Sequence, residues 1–133
     1  MSPLEELLVS GGELDQELVS TVLKPVLRID KDNLGIRPQD AWRRLSARAR
    51  IGAYLLARKA MAALGLLEDE RSRPAEVIRN TGLPSGTVYP TLKEMFESRP
   101  QLVDKSADSR YSVPGWAVRD LADLISQEVS RHE

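Results

Sequence analysis

One histidine and no cysteine among 133 residues leave little for nucleophilic or thiolate chemistry. His132 stands one residue from the end, where chains fray, and is given no role. Asp30, Asp32 and Asn33 resemble the opening of a calcium loop, but the glycine and closing glutamate such a loop needs do not fall at the required offsets. Gly11-Gly12 follows no strand, so no phosphate loop is expected there. The carboxylates are scattered, and no catalytic, metal or cofactor site is expected. What remains is binding chemistry. Ser85, Gly86, Thr87, Tyr89, Pro90, Thr91 and Lys93 form a small, hydroxyl-rich run, and Arg71, Arg73, Lys105 and Arg110 flank it with cations. Hydroxyls, guanidiniums and ammoniums can donate to the phosphates and base edges of double-stranded DNA, but taken singly such residues are more often ordinary surface, and the elements that present them decide between the two.

Charge is distributed to match. The net charge is −1, but residues 1–36 carry three Lys/Arg against seven Asp/Glu, residues 37–93 eleven against five, and residues 94–133 five against eight. A basic middle lies between acidic ends. Arg37, Arg43, Arg44, Arg48 and Arg50 form one cluster, and Arg71, Arg73 and Arg79 a second. A charge run of this kind either tracks a DNA backbone or is a solvated face paired with nearby carboxylates. The acidic N-terminus lacks the positive charge of a secretion signal, and the most apolar stretch, residues 51–67, is interrupted by Arg58 and Lys59. A cytoplasmic protein without a membrane span is expected.

The binding run must be positioned by helices. Ser72 is expected to cap a short helix with Pro74 in its first turn, running to about Asn80. Gly82 supplies the φ > 0 freedom for a steep turn, and Leu83 plugs the corner. Val88, Leu92, Met95 and Phe96 then recur at i, i+4, i+7 and i+8, the spacing of a second helix capped by Ser85 and covering about 85–97. With that stripe inward, Gly86, Thr87, Pro90, Lys93, Glu94 and Glu97 point outward, and Tyr89 sits on the flank. The N-terminal half of a recognition helix is what reads bases, and here it is small or neutral. Gln101–Asp104 and Ser109–Val113 flank a turn and are expected to pair as strands, with Lys105 and Arg110 at the tip 104–110 touching the DNA backbone.

Further out, Ser46 is expected to cap a long helix ending near Gly65, apolar nearly all round and therefore covered on more than one side. Its back meets either the N-terminal helices or a second subunit. Ser2 and Glu5 suggest a capped helix over 3–9, and Leu14, Leu18 and Val22 another over about 13–23. Val26–Ile29 and Leu34–Ile36 form either a small hairpin or an irregular loop. Val118, Leu121, Ala122, Ile125 and Val129 mark an amphipathic C-terminal helix that either dimerises or packs on its own domain.

Helix, helix, helix, hairpin is the order of a winged helix. The expected fold is mainly α with a small β-hairpin wing: an N-terminal helical and hairpin extension (1–45), a winged helix-turn-helix (46–114) and a C-terminal helix (115–133). The run Ser85-Gly86-Thr87-Val88-Tyr89-Pro90-Thr91-Leu92 resembles the recognition helix of PadR-type transcriptional regulators, though the residue that family carries between Ser and Gly is absent here. The resemblance covers roughly residues 70–114. It implies a winged-helix fold, DNA binding through the second helix and the wing, and a homodimer, formed here through the C-terminal helix, the long helix 46–65, or both. The expectation is a non-enzymatic DNA-binding regulator. Two alternatives stand beside it: a protein–protein adaptor on the same scaffold, favoured by the negative net charge, and a plasmid or viral partition or replication accessory protein.

Overall fold

The computed structural model describes residues 3–4 and 14–131. The expected helix over 3–9 falls largely outside the described residues, as does His132.

Among the described residues, five α-helices and two short antiparallel sheets follow in the order α1 (Gln16–Leu23), β1 (Leu27–Ile29), β2 (Ile36–Pro38), α2 (Ala47–Ala63), α3 (Pro74–Thr81), α4 (Ser85–Glu97), β3 (Asp104–Lys105), β4 (Tyr111–Ser112) and α5 (Val118–Ser130), with short 3-10 turns at Asp40–Arg44 and Gly115–Ala117. Asp15 caps α1 by accepting from the amide of Leu18. The segment after it is a hairpin, β1 paired with β2 in the register Arg28 opposite Arg37. Its turn is closed by Asp30, which accepts from the amide of Asp32, and by the side chain of Asn33, which accepts from Gly35.

The long helix α2 is the centre of the molecule. Ser46 caps it, its hydroxyl accepting from the amide of Ala49 at 3.2 Å. Ala49, Ile51, Ala53, Leu55, Leu56, Ala57 and Met61 are buried, as its all-round apolar sequence requires. Its neighbours are α1, α3, α4, α5 and β4 of the same chain. Within the chain its back is covered by α1 and α5. The stripe of α5 (Val118, Leu121, Ala122, Ile125, Val129) is likewise buried, with α2 and α1 as its neighbours. Gly52 makes the α2–α5 approach possible. A Cβ added there would lie 2.4 Å from Cδ1 of Leu121, well inside van der Waals contact.

Two local expectations need correction. Ser72 does not cap α3. The N-cap is Arg73, with no side-chain bond, while Ser72 is fully buried and forms a β-bridge with Tyr111. Its backbone donates to and accepts from Tyr111, both at 2.8 Å, extending the β3–β4 hairpin by one further bridge. Ser85 does not cap α4 either. It is the first helical residue, and the N-cap is Pro84, which has no side-chain oxygen to offer. The hairpin strands are also shorter than expected, two residues each: ahead of the ladder the amide of Leu102 donates to Met95 at the end of α4 instead of to a strand.

Candidate nucleic-acid interface

Three residues, Gly82, Leu83 and Pro84, separate α3 from α4. Gly82 ends α3 in the left-handed conformation (φ 74°) and its amide donates to Ile78 at 3.1 Å. Thr81, buried beneath it, donates its hydroxyl to Val77 and accepts from the amide of Leu83. Leu83 packs against the core, and Val88, Leu92 and Met95 anchor α4 with no exposed surface. Sequence and geometry agree on the rotation of this helix.

That rotation leaves the start of α4 bare. Ser85, Gly86, Tyr89, Pro90 and Lys93 are exposed, while Thr87 and Thr91 are half-buried along the edge. Tyr89 is 55% exposed, unusual for an aromatic ring without a partner. The amides of Thr87 and Val88 donate to Pro84, but no side chain caps the helix end in front of them. Its N-terminal positive dipole and first amides therefore face outward. Gly86 has no interior reason to be glycine: its φ is not positive, and a Cβ there would meet nothing within 4 Å. Pro90, one turn on, has no N–H for the carbonyl of Gly86. Both residues cost helix stability, and both lie on the exposed strip. Further along, Glu94 is held by Arg48 at 2.7 Å, which partly offsets its charge, and Glu97 stays exposed.

The flanking cations divide into two groups. Arg73 is exposed beside the start of α3, and Arg43, Arg44 and Arg79 are exposed elsewhere on the surface. Arg71 and Arg110 are instead gathered on one carboxylate. Asp69 accepts from Nε and Nη2 of Arg71, both at 2.9 Å, and from Nη1 of Arg110 at 3.1 Å. The Arg71 guanidinium, the Arg71 amide and, more weakly, the Arg110 charge hold the Asp69 carboxyl well below the usual carboxylate range. Asp69 in turn raises Arg71. Nε of Arg110 lies 2.9 Å from Asp108, whose carboxyl is lowered chiefly by the Ser106 hydroxyl and secondarily by Arg110. Lys105 is exposed, its Nζ 5.9 Å from the centre of the Tyr111 ring.

Beside α3 stands a polar knot that sequence reasoning missed. Tyr54 of α2 is buried, its hydroxyl 3.3 Å from Nδ2 of Asn80 and 3.5 Å from Oγ of Ser72 and Nη1 of Arg58. Arg58 donates to the carbonyls of Asp69, Glu70 and Arg71 at 2.9–3.1 Å, fixing the segment that leads into α3. Arg58 as the charged interruption of an apolar helix was the available signal. Asp69 could have been found from its spacing to Arg71, since residues i and i+2 of an extended segment share a side. From the first basic cluster, Arg37 pairs with Asp30 at 2.8 Å and Arg50 donates to the carbonyls of Trp42 and Arg43.

Compared with protein-family models, with curated proteins and with solved structures, the chain matches none. Among the described residues, no helix is long and apolar enough to cross a membrane and no group of His, Asp or Glu is placed to hold a metal ion.

Proposed function

We propose that this chain is a winged helix-turn-helix protein that binds double-stranded DNA and acts as a transcriptional regulator rather than an enzyme. In this reading α2, α3 and α4 form the helical part, with α3 and α4 as the helix-turn-helix. Ser72 is the first strand, and β3–β4 is the wing. The start of α4 enters the major groove, with Ser85, Gly86, Thr87 and Tyr89 nearest the bases and Lys93 at the groove edge. Arg73, Lys105 and the arginines gathered by Asp69 contact the backbone.

The observation that carries the reading is the uncapped, exposed start of α4. Gly86 and Pro90 weaken that helix without serving the core. Residues that lower stability with no structural return point to a surface shaped for a partner. Small side chains and bare amides suit close approach to a polyanion. The apolar stripes of α2 and α5 pack within the chain, so a homodimer, which the resemblance implies, would use the outer faces of these helices.

A protein–protein adaptor is favoured by one observation: Arg48, Arg71 and Arg110 are already ion-paired, which lowers the net positive charge of the face. Titration of a random duplex at low salt separates the two. DNA binding predicts a complex at micromolar protein, with log K falling against log salt by about 0.9 per phosphate neutralised. No complex at that concentration would favour the adaptor.

A further inference from the structure

We infer that Asp69 is a positioning residue for the wing's contact with DNA, holding Arg71 and Arg110 in a fixed fan that leaves each with donors for phosphate. The inference rests on the proposed DNA binding.

Side-chain direction places the fan outward. The side chains of Ser72 and Tyr111 are buried, so their chain neighbours Arg71 and Arg110 project to the opposite face of the bridged strands. Their side chains are 45% and 30% exposed. Asp69 is itself anchored, because its Oδ1 accepts from the amide of Arg71 at 2.9 Å. It engages Nε and Nη2 of Arg71 and only Nη1 of Arg110. Among the described residues, Nη1 of Arg71 and Nη2 of Arg110 have no hydrogen-bond partner, and each nitrogen carries two N–H groups. Arg71 is thus held side-on with its end-on edge open, the geometry in which an arginine fork meets a phosphate, while Arg110, whose Nε is buried 2.9 Å from Asp108, keeps Nη2 as a single open donor group.

The sign of one substitution decides the matter. As a bare charge, Asp69 repels DNA, so its neutralisation would tighten binding. As a positioning residue, it has already ordered Arg71, which pairs with no other carboxylate among the described residues, whereas Arg110 keeps Asp108; without Asp69 DNA binding must bear the ordering of Arg71, roughly two- to tenfold in affinity. The experiment measures anisotropy of labelled duplex DNA with the full chain, for the unaltered protein and Asp69→Asn, across a salt series. The expected result is a roughly two- to tenfold weaker complex for Asp69→Asn, and a salt slope smaller by about 0.9 for each phosphate no longer neutralised. In an Arg71→Ala/Arg110→Ala background, Asp69→Asn then weakens binding no further. Equal or tighter binding by Asp69→Asn in the unaltered background overturns the inference. If that variant does not fold, Arg71→Lys, which keeps the charge and loses the fork, is expected to weaken binding similarly, and unchanged affinity there overturns it. Failure of the unaltered protein to bind any duplex is a different result and removes the DNA reading itself.

Discussion

Ser72 and Tyr111 hold each other through two backbone hydrogen bonds of 2.8 Å, one in each direction, and so join the segment before α3 to the hairpin after α4. Both side chains are buried. This bridge sets the β3–β4 hairpin beside the α3–α4 pair. Ser72→Pro removes the donor and leaves the Tyr111 carbonyl without its partner, an expected loss of about 1–3 kcal/mol. Ser72→Ala keeps the bridge and removes only the long hydrogen bonds to Tyr54 and Arg73, an expected loss below about 1 kcal/mol. Urea denaturation distinguishes them, and equal losses would locate the stabilisation in the side chain instead.

Gly52 lies where α2 and α5 come closest, and Leu121 fills the space a Cβ would need. Gly52→Ala is expected to destabilise by about 1–3 kcal/mol through overpacking, although alanine is the better helix former. Because the two residues meet directly, Gly52→Ala/Leu121→Ala should cost less than the two single changes together. Additive losses in thermal denaturation would contradict the close approach.

The carboxyls of Asp30, Asp69 and Asp108 are all held low, by Arg37, by Arg71 and by the Ser106 hydroxyl respectively. A carboxyl lowered on folding contributes stability that is fully present above its unfolded value, about 4, and is lost as pH falls through the folded value. Stability should therefore fall below about pH 4. Asp69→Asn should flatten that acid limb while leaving its shape above about pH 6 unchanged, as read by denaturant midpoints across pH. These groups are solvent-exposed, so the contribution of each is small and reduced by salt. An acid limb identical in the variant would show that Asp69 does not contribute to it.

Local signals read well and distant ones did not. Ser46 as a cap, Gly82 as a left-handed turn and Val88, Leu92 and Met95 as an inward stripe each depend on residues a turn or two away, and the structure bears them out. Ser72 looked like a helix cap because Arg73-Pro74 follows it, yet its hydroxyl lies next to the buried hydroxyl of Tyr54, from a helix 18 residues earlier. Ser85 looked like a cap because it stands just ahead of the Val88–Leu92 stripe, but the helix begins at that residue. The β3–β4 hairpin could be anticipated as two strands but not measured, since two-residue ladders leave no periodicity to count. The basic surface was the least legible part. Charges counted along the chain say nothing of their partners, and Arg110 meets Asp69 across 41 residues.

The central claim is that the start of α4 enters a DNA groove, and Gly86 tests it most directly. A side chain there meets no protein atom, and replacing an exposed helical glycine by a good helix former stabilises by about 0.5–1 kcal/mol. Gly86→Gln, measured by thermal denaturation and by anisotropy on duplex DNA, should raise stability while weakening DNA binding tenfold or more (~1.4 kcal/mol or above). A variant that gains stability and binds duplex DNA as tightly as the unaltered protein would contradict the account.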